Sequence, residues 1–354
     1  VLHEICGKAM IEYVVDCARK AGVSETVVVV GHGASEVKAK LDNVKFAYQE
    51  QQLGTGHAVM QADNFITSGL VLVLYGDTPL LNPETIREMY KFHQEGGFHA
   101  TILTAEVDNP FSYGRIIRDA SDNVVAIVEE KDADSEQRKI KEINSGIYLF
   151  DGKFLKKALK ELKNDNNQNE YYLTDVIKIF NDNKLKVGAY KINDIEEIMG
   201  VNNRLQLSQA ASIMSNRILE KHMLNGVTII DPSNTYIDEV VTIDRDVTIL
   251  PGSIIKGSTY IEEDAVIGPY TTISDSHIGK GVEVKNSVVL ESSIGEGTTI
   301  GPFAYLRPGN SIGKYAKVGD FVEMKNSNFG DYSKASHLAY IGDGDVGKGV
   351  NLGC

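Results

Sequence analysis

The chain has 354 residues, 42% of them hydrophobic and 24% charged, with only 8 Pro; this is too long for one core, suits two domains and excludes extensive disorder. The formal net charge of −13 is spread evenly, about −6 over residues 1–226 and about −7 over 227–354, so neither half is a basic nucleic-acid-binding module. No apolar run approaches the roughly 18 residues of a membrane span, and three cysteines (Cys6, Cys17, Cys354) without metal-ligand spacing point to a reducing, cytoplasmic compartment.

The chain opens on Val1 without a signal-peptide pattern and stops at Cys354 in mid-repeat, so both ends are expected to be incomplete. Thr26–Val30 (TVVVV) and Leu70–Tyr75 (LVLVLY) read as short buried strands ending at Gly-containing turns. Pro83–Gln94 and Phe154–Lys163 have helical spacing and length, while Asn64–Leu70, Asp132–Arg138 and Asn164–Asn169 read as polar loops. Strands alternating with helices predict an α/β domain with a mostly parallel sheet and helices on both faces. In Arg204–Leu224, Leu207, Ala211, Met214 and Ile218 form one apolar stripe with no internal Gly or Pro, the pattern of a connecting helix or of a last core helix.

Glycine marks the division, with 16 in residues 1–226 and 17 in the much shorter 227–354. From Tyr236 the period becomes six. Ile237, Ile243, Ile249, Ile255, Ile261, Ile267 and Ile273 follow one another at that spacing. After a one-residue slip come Ile278 and Val284, then Ile294, Ile300, Leu306, Ile312, Val318 and Met324, and after another slip Phe329, Ala335 and Ile341. Six fits neither a helix nor simple strand alternation; it predicts a parallel β-helix of hexapeptide repeats, with the aliphatic residue on the inside and Gly, Asn and Asp at the corners.

Two features of the first half suggest chemistry. Asp77, in Tyr75-Gly76-Asp77-Thr78-Pro79-Leu80, directly follows a buried strand, where open α/β sheets bind ligands; it suits a Mg²⁺ held by few protein ligands plus phosphates, and equally an Asx-turn or helix N-cap. Gln52-Leu53-Gly54-Thr55-Gly56-His57-Ala58 is a Gly-rich turn entering a helix, able to hold anionic or polar groups on its N–H donors, but not a P-loop. In the second half only His277 and His337 are histidines, one short of a three-His catalytic zinc site. His337 suits a general base near neutral pH, or a corner cap.

The segments VLHEICGKAM, QLGTGHA, YGDTPL, YGRI, VEEKDA, EINSGIY, NEYYLTDVI and GVNNRLQL, followed by repeats carrying RPG, FVEMKNS and HLAYIGD, make the whole chain resemble the bacterial bifunctional N-acetylglucosamine-1-phosphate uridyltransferase / glucosamine-1-phosphate N-acetyltransferases. The resemblance implies a Rossmann-like nucleotidyltransferase domain over residues 1–203, a linker helix over 204–226 and a left-handed parallel β-helix acetyltransferase domain over 227–354. It implies synthesis of UDP-N-acetylglucosamine, a precursor of peptidoglycan and lipopolysaccharide, with acetyl-CoA and UTP as co-substrates and a homotrimer as the assembly. Carried over by position, Gln49, Gly54 and Thr55 would surround the uracil, and Tyr75, Gly76 and Asp77 the ribose, phosphates and metal. Gly114, Glu129 and Asn144 would contact the N-acetylglucosamine moiety, and Asn202 would join Asp77 on Mg²⁺. In the repeats, His337 would be the general base, with Arg307, Lys325, Tyr340 and Asn351 on the amino-sugar phosphate. Ser145 stands where the family commonly has Thr. The family's LAAGxGTxM loop, its Lys before Val1 and the later acetyl-CoA-binding coils are not in this sequence, so the chain as given is expected to be inactive in both reactions. The alternatives are another sugar-1-phosphate nucleotidyltransferase with a β-helix, and a non-catalytic β-helical scaffold, which would have no need of the cations Arg307 and Lys325 beside His337 and Tyr340.

Overall fold

Residues 1–353 are described by a computed structural model, so Cys354 lies outside the described residues. They form two units, one of Val1–His3 and Ala9–Ala210, the other of Glu4–Lys8 and the chain from Ala211 onward. In the first unit the elements are α1 (Met10–Lys20), β1 (Val27–Val30), α2 (Ala34–Lys40), β2 (Lys45–Tyr48), α3 (Thr55–Gln61), β3 (Leu70–Val73), α4 (Pro83–Gly96), β4 (Ala100–Glu106), β5 (Arg115–Arg118), β6 (Val124–Val128), β7 (Glu142–Asp151), α5 (Gly152–Ala158), α6 (Asp175–Asp182) and β8 (Val187–Ile192). Helix α7 (Arg204–Leu224) passes from one unit into the other at Ala210–Ala211.

Local chemistry sets the boundaries. The Asn82 side chain accepts the Glu84 N–H at 3.0 Å and Pro83 fills the first turn of α4, where its missing N–H costs nothing; a left-handed Gly97 ends the helix. Asp151 caps α5 through the Lys153 N–H at 2.9 Å. The helical spacing of Phe154–Lys163 supports α-helix only to Ala158, beyond which Lys160 and Glu161 make tighter three-residue turns onto Lys157 and Ala158.

The valine-rich runs do form strands, but the main sheet is mixed, not mostly parallel. Its order is β8-β4-β7-β5-β6, with β3 also on β7. Strands β8 and β4 are parallel, whereas β7 runs antiparallel to β3, β4 and β5. The ten-residue β7 is inserted in reverse between two like-directed strands, and it is buried along nearly its whole length, so its sequence carries no alternation that would betray its direction. Strands β1 and β2 pair in a separate parallel sheet. Helices cover both faces of the main sheet as expected: Leu155, Val176, Ile177 and Phe180 pack with Ile102, Tyr148 and Phe150 on one side, and Ile86 and Met89 pack with Leu103, Ile143 and Ile147 on the other.

Helix α7 spans the predicted residues, with Ala210, Met214, Ile218, Leu219 and His222 buried. Leu207 and Ala211 are only half-buried, so the stripe is rotated slightly from the one the spacing suggested. No described helix is long and apolar enough to cross a membrane.

The second unit is the expected parallel β-helix. Three sheets of eight, seven and seven strands run along it, and every strand pairs in parallel with its counterpart one coil on. Ile255 lies on Ile273, Ile273 on Val289 and Val289 on Leu306. The seven isoleucines from Ile237 to Ile273 are all buried, as are Ile278, Val284, Ile294, Ile300, Leu306, Ile312, Val318, Met324, Phe329, Ala335 and Ile341. Val289, omitted from the sequence-derived ladder, also points inward, which divides the register change between two corners. The shortened corners turn on Asp275, Asn286, Glu291, Asn326 and Asp343, all with positive φ. The corner column that holds Asn286 also carries Tyr270, Phe303, Phe321 and Leu338, each with positive φ and more than half exposed.

Candidate active sites

In the first unit the site grows from an irregularity in β7. Ile102 and Thr104 of β4, two residues apart, face Tyr148 and Asn144 of β7, four apart. The extra length bulges out, as strands often do beside functional sites. On its other edge β7 pairs with β5 at Ile143 and with β3 from Tyr148 onward, and the Asn144 N–H donates to the Gly114 carbonyl at 2.9 Å, so the stretch without a strand partner there is Ser145–Ile147. Gly146, with φ of +82°, is the left-handed residue of the bulge, and a Cβ on it would meet the Tyr75 ring at 2.0 Å. Glycine is required at this point so that the ring can lie on the backbone.

Several of the expected residues converge here. A Cβ on Gly114 would lie 3.4 Å from Asn144 Cβ and 3.4 Å from a Glu129 carboxylate oxygen. Thr174 donates to Glu129 at 3.2 Å. Burial, opposed by the Thr174 bond, raises the Glu129 carboxyl above its usual range, with Asp132 and Asp175 adding to the rise. Burial also pushes the Tyr75 phenol up to about 12, opposed by a hydrogen bond with Thr55. Gly54 and Thr55 open α3 against the Tyr171–Leu173 segment, where the Leu173 N–H donates to the Thr55 hydroxyl at 3.1 Å. Gln49 donates to the Gly54 carbonyl at 3.1 Å and contacts the His57 ring at 3.1 Å.

Asp77 and Asn202 both lie beside Gly200. A Cβ there would be 3.9 Å from an Asp77 carboxylate oxygen and 3.7 Å from the Asn202 amide, and the Val201 N–H donates to the Asp77 carbonyl at 2.9 Å. Burial raises the Asp77 carboxyl. This donor set, one carboxylate and one amide, fits a hard cation that keeps most of its shell for water and phosphate. Among the described residues no group of three or more His, Cys, Asp or Glu could hold a metal by itself. Gly114, Glu129, Asn144 and Tyr75 thus gather around the bulge, Thr55 joins them through Tyr75, and Gln49 and Gly54 adjoin Thr55. Gly76 links Tyr75 to the Asp77–Asn202 pair. The sequence reasoning missed Thr174, Gly146 and Tyr148 as members. Their signal was present, since all three lie inside the NEYYLTDVI and EINSGIY segments.

In the second unit the candidate residues lie on an outer face. The Arg307 guanidinium pairs with Glu323 at 3.1 Å, and Lys325 stands 3.9 Å from Asp343. Glu323 faces Tyr340 in the next coil. His337 ends its strand opposite Asp320, just before the Leu338 corner, and Asn351 pairs with Lys334 one coil further. Arg307, Lys325, His337, Tyr340 and Asn351 are therefore held by adjoining coils, His337 and Asn351 on one sheet and the others on the next, with the side chains at least partly exposed. Glu323, which the sequence reasoning did not single out, is the direct partner of Arg307.

The first unit, with its mixed α/β sheet, Gly-rich turn and bulged central strand, is of the nucleotidyl-transferase class. Consistent with this, the family model described as nucleotidyl transferase matches residues 2–195. The solved structure of a UDP-glucose pyrophosphorylase complexed with UDP-glucose shares the fold over 61% of this chain and 90% of that one, with a TM-score of 0.51 and 19% identity. Over its whole length the chain is 52% identical to the bifunctional protein GlmU of Clostridioides difficile (strain 630), covering 78% of that protein. It is 55% identical to the protein of the same name from Acetivibrio thermocellus, covering 77%, and 52% identical to that of Geobacillus sp. (strain WCH70), covering 78%. The chain belongs to the bifunctional GlmU family.

Proposed function

We propose that this chain supplies residues for both steps of UDP-N-acetylglucosamine synthesis, each unit carrying those of one, in a family whose matched members it covers to about 78% of their length. The observation that supports this most is the convergence of Tyr75, Gly114, Glu129 and Asn144 on one strand bulge, with Asp77 and Asn202 beside it. In the uridyltransferase step a phosphate oxygen of N-acetylglucosamine-1-phosphate bonds to the α-phosphorus of UTP as the bond to pyrophosphate breaks. Gln49, Gly54 and Thr55 hold the uracil, Tyr75 and Gly76 the ribose and phosphates, and Gly114, Glu129 and Asn144 the sugar. Asp77 and Asn202 hold Mg²⁺, which when bound neutralises phosphate charge. Catalysis here is positioning and electrostatics, so no protein nucleophile is needed.

In the acetyltransferase step the amine of glucosamine-1-phosphate bonds to the thioester carbonyl of acetyl-CoA, the C–S bond breaks, and His337 takes the proton from nitrogen. Arg307 and Lys325 bind the phosphate as two cations against one dianion, assisted by Tyr340 and Asn351. The residues stand on an exposed face, and beside them runs the apolar column Tyr270, Phe303, Phe321 and Leu338. These features support a homotrimer in which neighbouring solenoids cover that face; sedimentation of the full-length protein as a monomer at micromolar concentration contradicts it. The substrates are small molecules, consistent with a cytoplasmic enzyme.

The reading is tested by two variants of the full-length protein assayed in both reactions. Asp77→Ala should abolish UDP-N-acetylglucosamine formation and leave acetyl transfer intact, and His337→Ala should do the reverse. Equal loss of both activities in either folded variant would sink the assignment of separate sites.

A further inference from the structure

The bulge in β7 holds more than the residues that face the sugar. Asn144 is 8% exposed, and both ends of its amide are held from within the same strand. The Gly146 N–H donates to Asn144 Oδ1 at 3.1 Å, which fixes the oxygen end, and Nδ2 donates to the Tyr148 hydroxyl at 2.7 Å. Tyr148 is fully buried, stacked on Phe150 at 5.4 Å between centroids, and Phe150 in turn packs on Phe180. The hydroxyl thus stands on a rigid ring in the core beneath the site. Next to Asn144, the Ser145 hydroxyl donates to the Leu103 carbonyl at 2.6 Å and anchors the bulge to β4.

A neutral amide has two N–H donors and two lone pairs on oxygen. One of each is used internally here, which leaves one N–H and one lone pair for a ligand. Without its partners the amide could rotate by half a turn and present the opposite polarity. We infer that Tyr148 is a positioning residue for the uridyltransferase reaction, whose hydroxyl locks the Asn144 amide so that a fixed N–H and a fixed oxygen face the sugar phosphate. The ligand chemistry selected is an acceptor–donor pair, such as a carbonyl or hydroxyl oxygen beside an N–H or O–H, presented in one orientation. Tyr148 touches no substrate and acts only through Asn144. The inference rests on the proposed role of Asn144.

The test is a double-mutant cycle in the full-length protein using Tyr148→Phe and Asn144→Ala, with N-acetylglucosamine-1-phosphate and UTP as substrates. Phenylalanine keeps the ring and its packing, so the core is preserved. Losing a hydrogen bond to a buried amide should raise KM for N-acetylglucosamine-1-phosphate about five- to tenfold, with KM for UTP and kcat both within about threefold of the parent. In the Asn144→Ala background the same substitution should add nothing. The inference is overturned if Tyr148→Phe raises KM for both substrates alike, leaves both unchanged, or acts equally strongly without Asn144. If Asn144→Ala itself leaves sugar-phosphate KM and turnover unchanged, the wider reading of the site fails with it, and the two failures are thereby told apart.

Discussion

Replacing Gly146 by alanine probes how closely the bulge and the Tyr75 ring depend on one another. Two costs arise. A φ of +82° is left-handed, which costs an L-residue roughly 1–2 kcal/mol. The new methyl would also stand 2.0, 2.5 and 3.0 Å from three atoms of the Tyr75 ring. Carbon atoms pack at about 3.5–4.0 Å, so the ring must retreat by roughly 1.5–2 Å. Misplacing a substrate-positioning group by about 1 Å can cost on the order of 10²-fold in rate, and a loss of that size in uridylyl-transfer kcat/KM is expected, with acetyl transfer unchanged. Gly97→Ala provides the control: its φ of +59° is also left-handed, but nothing lies within 4 Å of the new Cβ, so it should carry the backbone cost alone. Steady-state kinetics and thermal unfolding of both variants separate the terms. The reasoning is refuted if Gly146→Ala turns over within about twofold of the parent, or if both variants lose uridylyl transfer equally.

Ile273→Ala removes a fully buried side chain stacked between Ile255 and Val289. It should cost about 2–5 kcal/mol, read by denaturant unfolding of the second unit; a cost below about 1 kcal/mol would mean that the coil collapses to fill the gap. His93, buried with its Nδ1 2.9 Å from the Thr101 hydroxyl, has a folded-state pKa lowered by burial. Its neutral form favours the fold, so the contribution is complete above the unfolded pKa of about 6.5 and is lost as pH falls through that value toward the lower folded one. His93→Gln should flatten this acid-side loss of stability in urea titrations, and an unchanged slope would rule His93 out as its source.

The solenoid was legible because its period is long and repeated. Ile237 to Ile273 announce it without any tertiary information, and only Val289 was lost, at the place where two short corners adjoin. The first unit was less legible. The strand positions follow from valine-rich runs, but the reversal of β7 does not, because a strand buried on both faces reads the same in either direction. Composition and spacing singled out Asp77 and the turn at Gly54. The convergence of Gly114, Glu129 and Asn144 depends on a bulge that becomes visible only when β4 and β7 are set in register. Tyr148 looked like one more aromatic core residue, and by burial it is one; its hydroxyl matters because of the amide four residues before it.

The shortened corners at Asp275, Asn286, Glu291, Asn326 and Asp343 also make the solenoid a ruler that tolerates miscounting. Inside a strand, losing one residue would turn every following side chain to the wrong face. At these corners the chain is one residue shorter than elsewhere, yet Ile278, Val289, Ile294 and Phe329, which follow the first four of them, are still buried. Length changes of one residue are therefore absorbed at a turn, while removal of a whole coil would shorten the stack by one rung of about 4.8 Å and leave the remaining pairings matched. Ile237 and Leu306 are separated by four rungs in their sheet, or roughly 19 Å. The distance of the Arg307 cluster from the start of the solenoid is thus set by the number of coils, so it can change only in whole steps.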